Sequence, residues 1–390
     1  MTMPHFSEIW YHRKIRSFFY QSLFLAILIW CGWLLWQVLQ NNLDERGIQI
    51  GFGFLKDTAG FNIILRLIPY DEQSTYLQVF FVGLFNTLLV SFIGIVFATL
   101  IGFLIGITRI SSARLFRIFG TIYLETVRNI PLLLQIFVWY FVVLRSAPYP
   151  DKAISLFNSI FITNRGIYFP NPHCLIECGN LLMISLLALV FSLFFLHCNQ
   201  KTCLQKGKAR TLYLGIALFF LVAMIFSLLK FFNQLEWSTP KLGRFNFENG
   251  ITVLPEFLAL LFALSIYTAA YIAEVVRMGI LSVSKGQWEA SLSLGLSKWQ
   301  TLRFIIIPQS LRVILPPLTN QYLNLIKNSS LATAIAYPDL VSIFAGTALN
   351  QTGQAVEIIA MTMAVYLFIS LIISGTMLSY ERLTRWGTTK

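Results

Sequence analysis

Apolar residues in this chain come mostly in long runs rather than at the periods of half-buried strands or amphipathic helices. Runs of about 20 residues, enough to cross a ~30 Å hydrocarbon layer, fall at 17–39, 79–107, 118–144, 181–197, 211–232, 251–276, 313–336 and 357–379. These eight runs predict an all-α polytopic membrane protein. The first follows Arg13, Lys14 and Arg16 as the core of a signal peptide would. It spans 23 residues, includes Trp30, Trp33 and Trp36, and is followed by no small-residue cleavage pattern, so it is expected to stay as a helix. Polar stretches separate the runs at 40–78, which holds Asp44, Glu45, Asp57, Asp71 and Glu72, and at 145–180, which is rich in Pro, Asn and Gly.

The pair of runs within 181–232 carries no interior charge, whereas informative residues gather in 83–140 and 267–350. The pattern divides the chain into four parts. Residues 1–78 form an N-terminal membrane helix and outside segment, and 79–145 the first part of a five-span core. Residues 146–245 are an insertion with two extra membrane helices, and 246–390 are the second part of the core, with a cytoplasmic loop at 277–312.

Composition strengthens the membrane reading. Of 390 residues 56% are hydrophobic and 12% charged, with 35 Phe, 15 Tyr and 9 Trp, more apolar surface than a globular core of this size hides from water. A net charge of +12 in a soluble domain would suggest nucleic acid, but topology accounts for it here and no nucleic-acid partner is expected. With the N-terminus inside, 18 of the 29 Lys+Arg fall in inside segments and 7 in the mostly longer outside ones. The positive-inside rule then places both termini in the cytoplasm.

Two cysteine clusters flank the run at 181–197: His173 and Cys174 with Cys178, and His197 and Cys198 with Cys203. On opposite faces of a bilayer they would lie roughly 25–30 Å apart, so no shared metal site is expected. A Cys174–Cys178 disulfide and free thiols both stay open. Gly94, Ala98, Gly102 and Gly106 recur every four residues, a stripe that lets two membrane helices approach closely.

The loop at 277–312 is basic yet keeps helical amphipathicity, with Trp288, Leu292, Leu296 and Trp299 on one stripe. Such a helix buries its stripe against lipid or a partner. Gly295 relaxes it and Pro308 ends the next helical stretch. Along the seventh run Asn320, Asn324, Lys327 and Asn328 fall at i, i+4, i+7 and i+8, one polar face that cannot meet lipid cheaply. At about 1.5 Å per residue, Lys327 lies roughly 21 Å in from Val313, and Arg128 roughly 16 Å from Arg117. Glu125, at i−3, can neutralise Arg128 within its own helix, whereas Lys327 has no acidic residue within four positions.

Glu289-Ala290-Ser291, Gly295 after three residues, and Ile305-Ile306-Ile307-Pro308 after nine more together resemble the coupling-loop signature of membrane subunits of bacterial ABC importers. That pattern reads Glu-Ala-Ala, three residues, Gly, nine residues, Ile, any residue, Leu-Pro, so Ser291 and Ile307 are mild departures. Gly83 with Asn86-Thr87, Glu125 to Arg128 with Pro131-Leu132-Leu133 and Gln135, and Tyr271 through Glu274 with Arg277, Gly279 and Gln287 narrow the resemblance to polar amino-acid permeases. So do Leu315-Pro316-Pro317-Leu318 and Asn324 through Leu331. The first span and the insertion are similar to the larger permeases of the general amino-acid subgroup.

The resemblance implies a permease core of five helices in the bacterial inner membrane and a division of labour. This chain has no Gly-x4-Gly-Lys-Ser/Thr phosphate loop, since Gly207-Lys208 is followed by Ala209, so a separate cytoplasmic subunit is expected to bind and hydrolyse ATP. The coupling loop would dock there, with Glu289 approaching basic groups of the ATPase and Gly295 making the bend. The other implied partners are a second permease or an identical chain and a periplasmic amino-acid-binding protein. Glu125, Arg128, Gln135, Asn320, Asn324, Lys327 and Asn328 are the substrate-path candidates, a cation suiting an amino acid's carboxylate. No catalytic residue, metal or resident cofactor is expected. An ion-coupled secondary transporter is the alternative, but it needs no cytoplasmic coupling signature and often shows inverted repeats. An intramembrane enzyme would need a constellation such as HExxH, and none occurs.

Overall fold

The computed structural model describes residues 13–45, 51–111, 113–157, 159–174, 187–189, 191, 207–233, 235–244 and 246–385. Helix α1 (Arg13–Glu45) leads to a 3-10 turn at Gly53–Lys56, α2 (Tyr76–Ile110), α3 (Arg114–Asn129) and α4 (Leu132–Phe137), which widens into π-helical turns over Val138–Leu144. Next come β1 (Ile154–Leu156), β2 (Ile160–Thr163), β3 (Gly166–Cys174), α5 (Gly207–Asn233), β4 (Leu235–Ser238), β5 (Lys241–Leu242), β6 (Phe247–Glu248) and β7 (Gly250–Val253). The last part holds α6 (Pro255–Leu281), α7 (Lys285–Ser293), α8 (Lys298–Thr301) and α9 (Ile307–Asn328). A 3-10 segment (Ser329–Ile335), π-helical turns (Leu340–Ala348), α10 (Leu349–Thr352) and α11 (Ala355–Arg385) complete it.

Among the described residues four helices are long and apolar enough to cross a membrane: Arg16–Asn42, Tyr76–Ile110, Pro255–Leu281 and Ala355–Arg382. The bent pair Arg114–Asn129 and Leu132–Leu144 makes five if it counts as one span. The eight expected runs therefore need correction in two places. The run at 118–144 is two helices, broken between Asn129 and Leu132, because Pro131 disfavours helical backbone at Ile130 and has no N–H to continue the ladder. The run at 313–336 is helical only to Asn328 and then tightens, ending with Ala336 in the left-handed region at φ 56°. Its Asn and Lys residues leave α9 too polar to qualify as a span. The run at 181–197 lies almost wholly outside the described residues, as do Cys178, Cys198, Cys203 and the side chains of His173 and Cys174. In α5 the described apolar stretch is Gly215–Lys230.

The chain folds as two compact units, Met1–Arg128 with Ser265–Lys390, and Asn129–Leu264. In the first, the stripe Gly94, Ala98, Gly102 and Gly106 is buried as its spacing requires. A Cβ added at Gly102 would stand 2.6 Å from Ile272 Cβ, and one at Gly106 2.8 Å from Val276 Cβ. So α2 meets α6 backbone against side-chain root. On the other side of the bend region, Leu124 of α3 packs on Ala270 and Ala273, and the Tyr123 hydroxyl donates to the Ile266 carbonyl at 2.6 Å.

Toward its N-terminal end α2 receives the segment after α9. Asn86 Nδ2 donates to the carbonyls of Leu65 (2.9 Å) and Pro338 (2.8 Å), the Tyr337 hydroxyl to the Asn86 carbonyl, and the Leu340 N–H to Thr87 Oγ1. Asp339 caps the turns that follow by accepting from the Ser342 N–H. Phe54, Tyr76, Val79, Val82, Phe344 and Ile358 close the core there. The polar stretch after α1 is thus folded onto this core.

The second unit carries structure the hydrophobic pattern did not announce. Strands β1, β2, β3 and β4 pair antiparallel in that order, and β7 also pairs with β3, bringing 154–174 together with 235–253. Phe247 stacks on Phe161 at 4.5 Å between ring centres. Strands this short, each with few alternating positions, give a weak signal beside long apolar runs.

Candidate coupling loop and polar path

Helix α7 ends in a Schellman motif. The Gly295 N–H donates to the Leu292 carbonyl at 3.0 Å and the Leu296 N–H to the Ser291 carbonyl at 3.2 Å, with Gly295 at φ +79°. That conformation opposes a Cβ sterically, which is the physical need for glycine here. Two residues on, Ser297 starts α8 with a capping box closed by Gln300. The single amphipathic helix expected from Trp288 to Trp299 is therefore two short helices joined by a left-handed turn, and its stripe is broken at Gly295. Glu289 and Ala290 are exposed while Ser291 is buried, its hydroxyl donating to the Trp288 carbonyl. Ile305 lies in the wide turns that lead into α9, half-buried beside buried Ile306, and Pro308 occupies the first turn of α9, where no N–H is needed.

The polar stripe of α9 survives as a surface. Asn320, Asn324 and Lys327 are exposed and Asn328 is partly so, on a helix whose other face buries Ile314, Leu315, Leu318, Leu325 and Ile326. Lys327 stands in the last turn of α9, where the helix dipole favours a cation. Helix α9 begins at Ile307, six residues before Val313.

Arg128 also differs from expectation, since it closes a separate 16-residue helix and is not midway along a straight span. Its guanidinium lies 5.1 Å from the centre of the Tyr271 ring, a cation–π contact. The Tyr271 and Tyr267 hydroxyls are 3.1 Å apart. One turn further along α6, Glu274 is held by two guanidinium groups, Arg109 from the end of α2 and Arg277 at 3.1 Å. Glu125 is exposed on α3. Gln135 is turned inward, and its Nε2 donates to the Ile130 carbonyl at 2.9 Å, pinning the bend before α4.

The structure thus keeps the α9 stripe on one helix and sets Gln135 against the Ile130 carbonyl. The Arg109–Glu274 pair, 165 positions apart, escaped sequence reasoning, although Glu274 and Arg277 belong to the motif quoted above. Among the described residues no group of three His, Cys, Asp or Glu could hold a metal ion.

Residues 98–386, nearly all of the part that carries these features, match the family model described as binding-protein-dependent transport system inner membrane component. The chain belongs to that family. Relatives of this inner-membrane component include the putative amino-acid ABC transporter permease protein YhdX of Escherichia coli (strain K12), 49% identical over 369 residues, covering 94% of each chain. The general L-amino acid transport system permease protein AapQ of Rhizobium johnstonii is 43% identical, covering 95% of this chain and 92% of its own. The glutamate/glutamine/aspartate/asparagine transport system permease protein BztB of Rhodobacter capsulatus is 37% identical, covering 96% and 95%. Among solved structures, an amino acid ABC transporter crystallised with histidines aligns at 21% identity and TM-score 0.46, covering 79% of this chain and 94% of its own.

Proposed function

We propose that this chain is the transmembrane permease subunit of an ATP-driven, binding-protein-dependent amino-acid importer of the bacterial inner membrane. It forms part of the translocation path and couples to a separate cytoplasmic ATPase, and it does no covalent chemistry itself. The observation that carries this reading is the coupling loop. A Schellman turn at Gly295 presents exposed Glu289 and Ala290 on a short rigid helix, a shape suited to a groove in a partner. Full-length similarity to permeases named for amino-acid transport supports the substrate class. The polar face of α9 suits a path wall facing a second permease, whether another chain or a copy of this one. A periplasmic receptor would deliver the amino acid, and ATP-driven closure of the ATPase pair would rock the two permeases between outward and inward states.

ATP hydrolysis by the complex purified with its ATPase is expected to rise when amino-acid-loaded receptor is added. Hydrolysis indifferent to the receptor, or uptake that follows an ion gradient without ATP, would favour the secondary-transporter reading. The orientation of the chain is open to a separate measurement. Single cysteines placed in 50–70 or 150–170, in a background lacking native ones, should react with an impermeant thiol reagent from outside, while those at 285–300 should not. Labelling of 285–300 from outside would overturn the topology.

A further inference from the structure

A cavity of about 530 Å³ opens where two spanning helices end. Its wall is Ile107 and Ile110 from the last turn of α2, and Ile280 and Leu281 from the last turn of α6. Its other side comes from the coupling loop, which contributes Lys285 and Trp288 from α7 and Lys298 and Trp299 from α8. Because α2 and α6 are both apolar spans, the ends of both in one wall place the cavity at the level of the membrane–water boundary. Tryptophan prefers that level, since its ring is apolar and its N–H is wet, and lysine reaches headgroup phosphates from there. No acidic residue lines the cavity, so the two ammonium groups are not neutralised within it.

We propose that the cavity seats one anionic phospholipid of the leaflet on this side, with an acyl chain against the isoleucine–leucine wall and the phosphate toward Lys285 and Lys298. The chemistry fits a lipid better than a free anion, because most of the wall is hydrocarbon. It also fits a lipid better than substrate, because the Asn320–Asn324–Lys327 face of α9 is not part of the lining. The bound lipid would brace the coupling loop against the ends of α2 and α6. Naming the leaflet cytoplasmic rests on the proposed function; the binding itself does not.

The full chain, reconstituted without its ATPase in phosphatidylcholine nanodiscs, would receive a small equal share of dibrominated phosphatidylglycerol or dibrominated phosphatidylcholine. Quenching assigned to the cavity is the part lost in a Trp288→Phe/Trp299→Phe variant, which separates it from the other tryptophans. Brominated phosphatidylglycerol should quench at a lower mole fraction than the choline lipid, by about fivefold for each lysine, the equivalent of roughly 1 kcal/mol apiece. Lys285→Gln/Lys298→Gln should bring the two lipids together, and Lys285→Arg/Lys298→Arg should keep the preference. Equal quenching in the native chain, a preference that persists in the Gln pair, or one that disappears when the ATPase subunit is added would overturn the proposal, the last by giving the cavity to the protein partner. Receptor-stimulated ATP hydrolysis is read in a different assay, so failure there and failure here are distinguishable.

Discussion

Gly295→Asp is expected to leave the protein assembled in the membrane and to abolish most transport. A Cβ at Gly295 meets no atom of this chain within 4 Å, so the substitution creates no internal clash. Its internal cost is the left-handed backbone at φ +79°, about 1–2 kcal/mol for a residue with a Cβ and less for Asp, whose short polar side chain tolerates that region. A cost of that size in one exposed turn does not dismantle a bundle anchored by α2, α6 and α11. The new side chain instead points away from this chain's own packing, onto the surface proposed to meet the ATPase. A side chain wedged where the turn meets the ATPase, with a charge left buried and unpaired there, costs several kcal/mol, so uptake should fall by roughly a hundredfold or more. Gly295→Ala carries at least as much backbone strain without the charge and should lose much less. Membrane level, uptake and co-purification of the ATPase measured side by side would decide it. Normal uptake with normal assembly in the Asp variant would remove the coupling role.

Lys327→Met should leave subunit assembly intact while abolishing uptake or redirecting it to other substrates, and Lys327→Arg should keep part of it. Lys327 is exposed on the same face as Asn320 and Asn324. Its place in the last turn of α9 stabilises the charge by about 0.3–1 kcal/mol through the helix dipole. A lysine grouped with Asn320 and Asn324 on one exposed polar face is disfavoured against lipid and suits a watered path, where an ammonium group attracts a carboxylate. Met keeps the length and removes the charge, so the contrast with Arg isolates charge from shape. Unchanged affinity and rate across amino acids in the Met variant would leave Lys327 a scaffold residue.

Several features were legible in the sequence because they are local. Apolar runs longer than a bilayer is thick gave the spans at α1, α2, α6 and α11, since backbone satisfied within one helix needs no information from elsewhere. The four-residue spacing of Gly94, Ala98, Gly102 and Gly106 gave the packing face of α2, and Gly295 gave the break within the coupling loop, whereas Pro308, expected to end a helical stretch, sits in the first turn of α9 with helical backbone running through it from Lys298 to Asn328. Tertiary structure alone decided which surface that face meets, namely Ile272 and Val276 of α6. It also decided that Arg128, in the last turn of a separate helix, rests on Tyr271, and that Arg109 and Glu274 share a bridge. Those partners are brought together by the fold across 143 and 165 positions, and no periodicity along the chain encodes a contact between helices whose order in space is unknown.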